Sequence, residues 1–524
     1  MKVNAVLIGI FIPGLYFCSH GRTIDSMKRE EQRHPNILII MTDQQRFDAL
    51  SCYGSKAVDT PNIDRLAEEG VKFEKCYSPN PICTPSRASM FTGKSLAGHG
   101  VYQLHDILPD DQILFPKRLQ QRGYETTLVG KLHVSGLWHE AEERHPNDGF
   151  DNYYWCIDPG LNLENPINSY AKWVKNKDQA FFQKLKEEGK SMRHFPEELH
   201  FSRWASETTI QQIENRDTAK PFFILMSLFD PHDPYYDHPE SFRNMVNDKD
   251  IPIPSRLPDT TKIPEGVKQE LLKSVQVKKS SRFSESVHEL RKGYYASIAF
   301  LDQEVGKVLD KIDTEGLYDN TIIIFVSDHG DMLFDKGLFS KGAFFYDPSV
   351  RVPFLMRYPN KIQAGTTFDL PVQQYDIAAT ILALADYPGE QIREWMPESM
   401  DLLKFIKQRT AYKYYRDYAV CEYRNTGYGP GGTYYEPPLH ATMFLSGYYK
   451  LNVYHNFSDS HKLQGELFNM ENDPLEENNL WNNPNHQYVK IEMMHQLTDW
   501  MVKNSDRYPG GRGGEKFKQQ VTLE

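Results

Sequence analysis

Residues 35–44 read PNILIIMTDQ and residues 321–331 read TIIIFVSDHGD, and these two stretches decide the fold. Each is an uninterrupted apolar run of strand length that ends in polar residues. A run that is apolar at every position, rather than at alternate positions, is typical of a strand covered on both faces. Strands of this kind belong mostly to parallel sheets with helices on either side, so the two stretches predict an α/β protein.

Strand and helix patterns alternate along the chain on either side of these two runs. The further segments are predicted helices at 62–69, 115–123 and 287–312 and predicted strands at 126–130 and 222–228. This alternation predicts one large, mostly parallel sheet flanked by helices. Residues 237–281 are rich in Pro, Lys and Asp without a regular period, and we interpret them as a surface excursion over one edge of the fold.

The pattern changes after about residue 412, where Tyr- and Gly-rich runs such as 441–454 resemble hairpins and a helix follows near 491–502. These features predict a smaller antiparallel α+β subdomain packed on the first domain. The predicted organisation is a signal peptide at 1–21, a main domain at 34–410 and a C-terminal subdomain at 411–510.

The composition excludes several classes of protein. The 524 residues include 60 basic and 71 acidic side chains, which gives a formal charge of −11. Proteins that bind nucleic acids carry an excess of positive charge, so the net negative charge excludes this class. The hydrophobic fraction of 40% is enough for a large core, and the chain lacks the apolar content of a polytopic membrane protein.

The N-terminus has the pattern of a secretion signal. Lys2 precedes an apolar run at 6–17, and residues 19–21 offer a small-x-small cleavage site. The run is short for a membrane span, so we expect export to the periplasm or the medium and no transmembrane segment after cleavage. A lipid anchor at Cys18 is less favoured than simple cleavage, because Phe17 stands where a lipid-attachment signal has a small residue.

Polar side chains follow both of the apolar strands described above. Asp43 and Gln44 come after the first strand, and Asp328 and His329 come after the second. The carboxyl ends of parallel strands form the ligand crevice of such a sheet, so these residues can converge. Oxygen donors with one imidazole favour calcium or magnesium over structural zinc. An Asp after a strand is by itself more often a turn former or helix cap, and only the pair favours a metal site.

The segment at residues 81–93 reads PICTPSRASMFTG. Pro85 suits the first turn of a helix and Gly93 suits its end, which places Cys83 at or just before the helix N-terminus. Unpaired N–H groups there stabilise a thiolate or another anion, and Arg87 lies one turn later. The alternative is a buried structural cysteine. Without Cys18 five cysteines remain, an odd number without CxxC spacing, so this is no disulfide scaffold.

The run CTPSR at 83–87 resembles the C-x-P-x-R signature of the type I sulfatases, in the alkaline-phosphatase superfamily. The resemblance extends over most of the mature chain through further elements, in order: the strand and metal pair at 36–44, GKLH at 130–133, PHDP at 231–234, SDHGD at 327–331, Lys341, and GELFNMENDP at 465–474. One departure is Gln44, where many members carry a second Asp. An amide oxygen still binds calcium but brings no charge.

The resemblance implies an alkaline-phosphatase-like fold, with the main domain as the catalytic domain. It also implies that a formylglycine-generating or sulfatase-maturating enzyme converts Cys83 to formylglycine. The hydrate of that group would attack sulfur, expel the alcohol and later collapse to release sulfate. One calcium ion would be held by Asp43, Gln44, Asp328, His329 and the modified Cys83.

The remaining motif residues also receive roles from the resemblance. Arg87 would orient the hydrate, and Lys131 and Lys341 would hold the sulfate. His232 would protonate the leaving alcohol, and His133 would be the base for collapse. Taken singly, such lysines are usually solvated and such histidines usually sit in turns; their order within the motifs is what favours these roles.

The expected reaction is removal of sulfate from a sulfated carbohydrate, as in glycan degradation. One divalent cation with two carboxylates sums to zero, and the added lysines and arginine suit a singly charged ester. The alternatives are a phosphodiesterase or phosphonate monoester hydrolase of the same superfamily, and an unmodified glycan-binding relative. The candidates for contact with the alcohol are Arg46, His105, Tyr153, Tyr154, Trp155, Tyr235, Tyr346, Arg351, Tyr434, Tyr435 and His440.

Overall fold

The apolar run that begins at Asn36 forms the middle of a large sheet in the computed structural model of the protein. The structure describes residues 34–257, 263–279, 285–359, 361–407, 415–426, 435, 438–455 and 464–505. The strands are β1 (Asn36–Thr42), β2 (Val71–Phe73), β3 (Cys76–Tyr77), β4 (Glu125–Gly130), β5 (Asn152–Trp155), β6 (Phe222–Ser227), β7 (Thr321–Ser327), β8 (Arg351–Val352), β9 (Phe354–Arg357), β10 (Thr366–Phe368), β11 (Val372–Gln373), β12 (Tyr418–Arg424), β13 (His440–Ser446), β14 (Tyr449–Tyr454) and β15 (Gln464–Asn469).

Helices lie between and after these strands. They are α1 (Pro61–Glu68), α2 (Cys83–Thr92), α3 (Leu96–His99), α4 (Phe115–Gln121), α5 (Leu137–Glu142), α6 (Ser169–Lys177), α7 (Gln179–Glu188), α8 (Phe201–Glu214), α9 (Glu265–Lys279), α10 (Val287–Thr314), α11 (Asp347–Val350), α12 (Asp376–Leu384), α13 (Gly389–Trp395), α14 (Leu402–Lys407) and α15 (Gln487–Ser505). The three further helices and two further strands predicted from the sequence, at 62–69, 115–123, 287–312, 126–130 and 222–228, are confirmed, with ends that differ by one or two residues.

The large sheet has eight strands in the order β10-β2-β9-β7-β1-β6-β4-β5. Among these described strands β9 alone runs against the others, because it pairs antiparallel with both β7 and β2 while the remaining pairs are parallel. The predicted mostly parallel sheet is therefore confirmed. The carboxyl ends of β7, β1, β6 and β4 lie side by side at one edge of this sheet.

Both faces of the sheet are covered, which explains the uninterrupted apolar runs. Ile37 and Ile39 of β1 pack in one core, which also contains residues of α2, α4 and α12. Leu38 and Ile40 pack in a second core on the opposite face, with residues of α1, α8 and α10. All four side chains are fully buried.

The predicted C-terminal antiparallel sheet is present as β12-β13-β14-β15, in sequential order. One face packs on α15, through Phe444 and Leu451 against Leu497. The other face contributes Met443 to a core shared with Phe344. The predicted boundary at residues 410 and 411 lies outside the described residues, and so do the predicted signal peptide and Cys18.

Residues 237–281, interpreted from the sequence as a surface excursion without a regular period, contain a helix that the sequence analysis does not predict, α9 at Glu265–Lys279. The apolar side chains of this helix are not gathered on one stripe: Val267 is buried, whereas Leu272 and Val275 are exposed. The helical period is therefore weak in the sequence.

None of the helices that the structure describes combines the length and the apolar character needed to cross a bilayer. The five cysteines in the described ranges, Cys52, Cys76, Cys83, Cys156 and Cys421, are free thiols. The core is accordingly held by packing and hydrogen bonds in this part of the chain.

Candidate active site

Cys83 is the first residue of helix α2, as the sequence predicts, and Ile82 is the N-cap residue. The approach to the helix is fixed by Asn80, whose Oδ1 accepts a hydrogen bond from the Ile82 N–H at 2.8 Å. Gly93 ends the helix at a φ of 67°. The Cys83 side chain therefore lies beside free backbone N–H groups at the positive end of a buried helix.

Arg87, one turn further along α2, is fully buried and bonds to residues at four strand ends, one of them the Ser227 hydroxyl at the end of β6, which its Nη1 reaches at 3.0 Å. Its Nε donates to Asp328 Oδ2 at 2.7 Å and its Nη2 donates to Asp43 Oδ2 at 3.3 Å. Its Nη1 donates to the Lys131 carbonyl oxygen at 2.9 Å. Arg87 therefore fixes Cys83 relative to both predicted metal carboxylates.

The predicted metal ligands converge at the ends of β1 and β7. Ligand atoms of Asp43, Asp328 and His329 all lie within 4.8 Å of one another. The backbone N–H of Gln44 donates to Asp328 Oδ1 at 3.0 Å, which links the two strand ends directly. The Nδ1 of His329 donates to the Gly330 carbonyl oxygen at 2.9 Å, which directs its Nε2 towards the carboxylates, 3.8 Å from Asp43 Oδ1.

The chemistry of these donors fits a hard cation. The side-chain oxygens Asp43 Oδ1 and Gln44 Oε1 are buried and have no hydrogen-bond partner among the described residues. The amide of Gln44 is held by its Nε2, which donates to Asp331 Oδ2, so that Oε1 is left as the acceptor. A buried acceptor without a donor is costly, and a bound cation would satisfy both oxygens.

Lys131 follows β4 directly. The residue before it must be a glycine, because β4 and β6 approach closely at this point. Gly130 has a φ of 107°, and a Cβ added there would lie 1.9 Å from the Ser227 carbonyl oxygen. Lys131 Nζ donates to Asp43 Oδ2. We call Asp43, Gln44, Lys131, Asp328 and His329 the strand-end group, because each is the first or second residue after β1, β4 or β7.

The other three predicted residues, His133, His232 and Lys341, lie on longer loops, and we call them the loop group. Lys341 Nζ lies 3.9 Å from Cys83 Sγ, 3.2 Å from His232 Nε2 and 3.0 Å from His329 Nε2. His133 Nε2 lies 3.0 Å from the Thr84 hydroxyl oxygen, beside Cys83 in the chain. The structure therefore brings every predicted site residue together around Cys83.

The electrostatics of the site favour an anion at Cys83. Burial alone would raise the pKa of the Cys83 thiol, but Lys131 and Lys341, together with His133, hold that pKa well below its usual range. The pKa of Asp43 is also low, because Lys131 and other nearby positive groups outweigh the effect of its burial. Burial and the Lys341 ammonium lower the pKa of His232 to about 4.

Three residues that support the site are absent from the sequence-based prediction. Glu140 accepts from the N–H groups of His133 at 2.9 Å and Val134 at 2.7 Å, and thereby holds the loop. Gln374 Oε1 accepts from the Ser86 hydroxyl at 2.7 Å, which fixes the start of α2. Asp331, the last residue of the SDHGD motif, accepts from the Gln44 side-chain amide and so orients it. No sequence signal identifies these two residues: Glu140 is only six and seven residues from its partners but stands in no recognisable motif, and Gln374 is far along the chain from Ser86.

The residues predicted to contact an organic alcohol divide by exposure. Arg46, Trp155, Tyr235 and Tyr346 are buried, and Arg46 forms ion pairs with two carboxylates rather than facing solvent. His105 and His440 are exposed. The half-buried candidates are Tyr153, Tyr154, Arg351 and Tyr435, and Tyr434 lies outside the described residues.

This fold and this site define a hydrolase of the alkaline-phosphatase-like superfamily, and comparison with known proteins specifies the family. The sulfatase family model matches residues 35–387. A second model, for the C-terminal part of N-sulphoglucosamine sulphohydrolase, matches residues 334–503. The chain belongs to the sulfatase family and is a sulfatase.

Two relatives and two solved structures illustrate the range of this similarity. An N-acetylglucosamine-6-O-sulfatase of Bacteroides thetaiotaomicron is 28% identical over 94% of this chain and 90% of the relative. An arylsulfatase of Clostridium perfringens is 30% identical over 74% of this chain and 81% of the relative. A structure in complex with its substrate D-glucosamine-2-N,6-O-disulfate has a TM-score of 0.69 at 22% identity and covers 92% of this chain and 100% of that one. The phosphonate monoester hydrolase of Silicibacter pomeroyi has a TM-score of 0.74 at 21% identity, with coverages of 91% and 97%.

Proposed function

We propose that this sulfatase removes sulfate from a sulfated carbohydrate at the site centred on Cys83. The observation that carries the proposal is the position of Lys341, whose ammonium lies within 3.9 Å of Cys83 Sγ and next to the strand-end group. An anionic ester group placed at Cys83 would contact positive charge on more than one side, which is what a sulfate and its transition state require.

Two groups complete the proposed site. Formylglycine formed from Cys83 would supply, as its hydrate, the hydroxyl nucleophile. Calcium would be held by Asp43, Gln44, Asp328 and His329 together with the modified Cys83, and it would polarise the sulfate oxygens. The unpartnered oxygens of Asp43 and Gln44 support this assignment.

The other residues of the site act on the substrate and on protons. Lys131 and Lys341 would bind the sulfate oxygens, and Arg87, held by four acceptors, would keep the nucleophile in its place. His133 Nε2 contacts the Thr84 hydroxyl oxygen at the start of α2, and His133 is the proposed base for the later step.

His232 is the proposed acid for the leaving alcohol. Its Nδ1 donates to the Asp233 carbonyl oxygen at 2.9 Å, so Nε2 is the nitrogen that faces the site. A pKa of about 4 keeps the imidazole neutral at pH 7 in the free protein. A bound sulfate ester would offset the Lys341 charge that helps to lower this pKa, so that Nε2 would take up a proton from solvent and donate it to the alcohol oxygen as the S–O bond breaks.

Relatives support a carbohydrate as the alcohol. The relatives with printed substrates include N-acetylglucosamine-6-O-sulfatase and an ulvan-active sulfatase of Formosa agariphila, and one structural neighbour was solved with a disulfated glucosamine. A sulfated amino sugar is therefore the first substrate to test. Export to the periplasm or the medium, where such glycans are degraded, also belongs to the proposal and rests on the apolar N-terminal run at 6–17.

The alternative of a phosphonate monoester hydrolase has support of its own, because the solved neighbours include such an enzyme. The deciding experiment compares release of free sulfate from sulfated mono- and oligosaccharides with turnover of a phosphate diester and a phosphonate monoester. Sulfate release should dominate. The peptide that contains Cys83 should have the lower mass of formylglycine. An unmodified cysteine together with glycan binding but no turnover would favour the non-catalytic relative instead.

A further inference from the structure

Helix α9, which lies within residues 237–281, contacts the loop that carries Lys341 on both sides of that lysine. Oε1 of Glu270 accepts a hydrogen bond from the Ala343 N–H at 2.9 Å. The hydroxyl oxygen of Ser274 accepts one from the Phe339 N–H at 2.9 Å. Positions 339 and 343 are two residues before and two residues after Lys341, so the two contacts bracket the lysine.

Both bracketing side chains are built into the helix as a pair. Glu270 and Ser274 are four residues apart and therefore lie on the same face of α9. The Ser274 hydroxyl donates back to the Glu270 carbonyl oxygen at 2.8 Å, which leaves its oxygen free to accept from Phe339. The two residues are only 2% and 4% exposed, although Glu and Ser are usually solvated.

The loop itself needs such support, for two reasons. Ser340, immediately before Lys341, is a fully buried non-glycine residue at a φ of 56°, a left-handed conformation that is unfavourable for residues with a Cβ. A Cβ added to Gly342 would lie 2.5 Å from Glu270 Oε1, so the loop approaches the carboxylate as closely as a glycine allows. A strained loop persists only when its surroundings hold it in place.

From this geometry we infer that α9 is a positioning element for the sulfate-binding lysine, and that Glu270 and Ser274 are its positioning residues. They touch neither Cys83 nor the strand-end group, and they act by holding the loop backbone so that Lys341 Nζ reaches Cys83. The inference rests on the proposed sulfate-binding role of Lys341. It adds that the segment between β6 and α10 contributes to catalysis through α9.

The test is a double-mutant cycle on the mature enzyme with 4-nitrophenyl sulfate as the probe. Glu270→Ala should lower kcat/KM by roughly 10- to 100-fold, because small misplacements of a catalytic group have effects of this size. Glu270→Gln keeps an oxygen that can accept from Ala343 and should recover most of that loss. Gln276→Ala, on the exposed side of the same helix, is the matched control and should leave kcat/KM unchanged.

The same substitution in a Lys341→Ala background distinguishes a positioning role of Glu270 from a general effect on stability. When Lys341 is already replaced by Ala, Glu270→Ala should cost almost nothing further, because the group that it positions is gone. An equal loss with and without Lys341, or a Glu270→Gln variant as impaired as Glu270→Ala, would overturn the inference. Ser274→Ala, a milder change, repeats the cycle if Glu270→Ala does not fold.

Binding of inorganic sulfate separates this inference from the proposed function. Calorimetry should show the same weakening of the sulfate Kd for Glu270→Ala, Lys341→Ala and the double variant. A wild-type kcat/KM for Lys341→Ala would refute the catalytic role that the proposed function gives to Lys341. The positioning role of Glu270 would still be tested by the sulfate Kd. A wild-type sulfate Kd for Glu270→Ala would then refute the positioning role.

Discussion

The strand-end group and the loop group meet around Cys83, but they are held by different means. The strand-end residues follow neighbouring parallel strands directly, so the hydrogen bonds of the sheet set their positions. Two of the three loop residues instead depend on carboxylates of helices: Glu140 of α5 holds the backbone of His133, and Glu270 of α9 holds the loop of Lys341. The strand-end group is thus part of the folded core, whereas the loop group is an addition to it. Substitutions in the two groups should therefore have different effects on stability and activity.

Cys83 lies where the two groups meet, and its loss should have the largest effect. Cys83→Ala should abolish turnover, because an alanine side chain cannot be converted to the formylglycine that would supply the nucleophile. The fold should stay intact, as judged by circular dichroism and the thermal midpoint. Cys76→Ala, which also removes a buried thiol, is the matched control and should keep its turnover. Turnover in the Cys83→Ala variant would refute the proposed mechanism.

In the strand-end group, Asp328→Ala should reduce both stability and activity. It leaves the buried Arg87 without its 2.7 Å partner, which should lower the free energy of unfolding by about 3 to 5 kcal/mol. It should also lower kcat/KM by roughly 10³-fold or more, because Lewis-acid stabilisation amounts to several kcal/mol. The measurements are urea unfolding, sulfate release and calcium content by elemental analysis.

A buried carboxylate outside the site provides the control for that variant. Asp376 is fully buried and pairs with Arg416, so Asp376→Ala should cost comparable stability while the calcium content stays at the wild-type level. Wild-type protein stripped by a chelator should regain activity when calcium is added. Full activity after exhaustive chelation, with no metal detected, would contradict the assignment of the strand-end group.

In the loop group, His232→Ala should reduce activity and leave stability almost unchanged, because the hydrogen bond of its Nδ1 goes to the adjacent residue Asp233. Hydrolysis of a sugar sulfate should slow by roughly 10² to 10⁴-fold, since its alkoxide is a poor leaving group. An activated aryl sulfate, whose phenolate leaves without a proton, should be much less affected. An equal loss of kcat/KM on both substrates would mean that His232 binds sulfate instead of protonating the alcohol.

The same division explains what the sequence can predict. Asp43 and Asp328 are recognisable because an apolar run sets the strand, and the strand sets the place of the next residue. The large sheet, the C-terminal sheet and the helix start at Cys83 follow from patterns of this local kind. Lys341 is fourteen residues beyond β7, and only family resemblance pointed to it. Helix α9 and Glu270 could not be predicted, because their packing depends on tertiary contacts that leave no period in the sequence.

The free cysteines have a practical consequence for following maturation. Burial raises the pKa of Cys52, Cys76, Cys156 and Cys421, so these thiols stay protonated and unreactive at neutral pH. Cys83 alone among the described cysteines is held as a thiolate by nearby positive charge. A small alkylating reagent at pH 7 should therefore label Cys83 selectively, and only in molecules where it is still a cysteine. The labelled fraction would directly count the molecules that lack formylglycine.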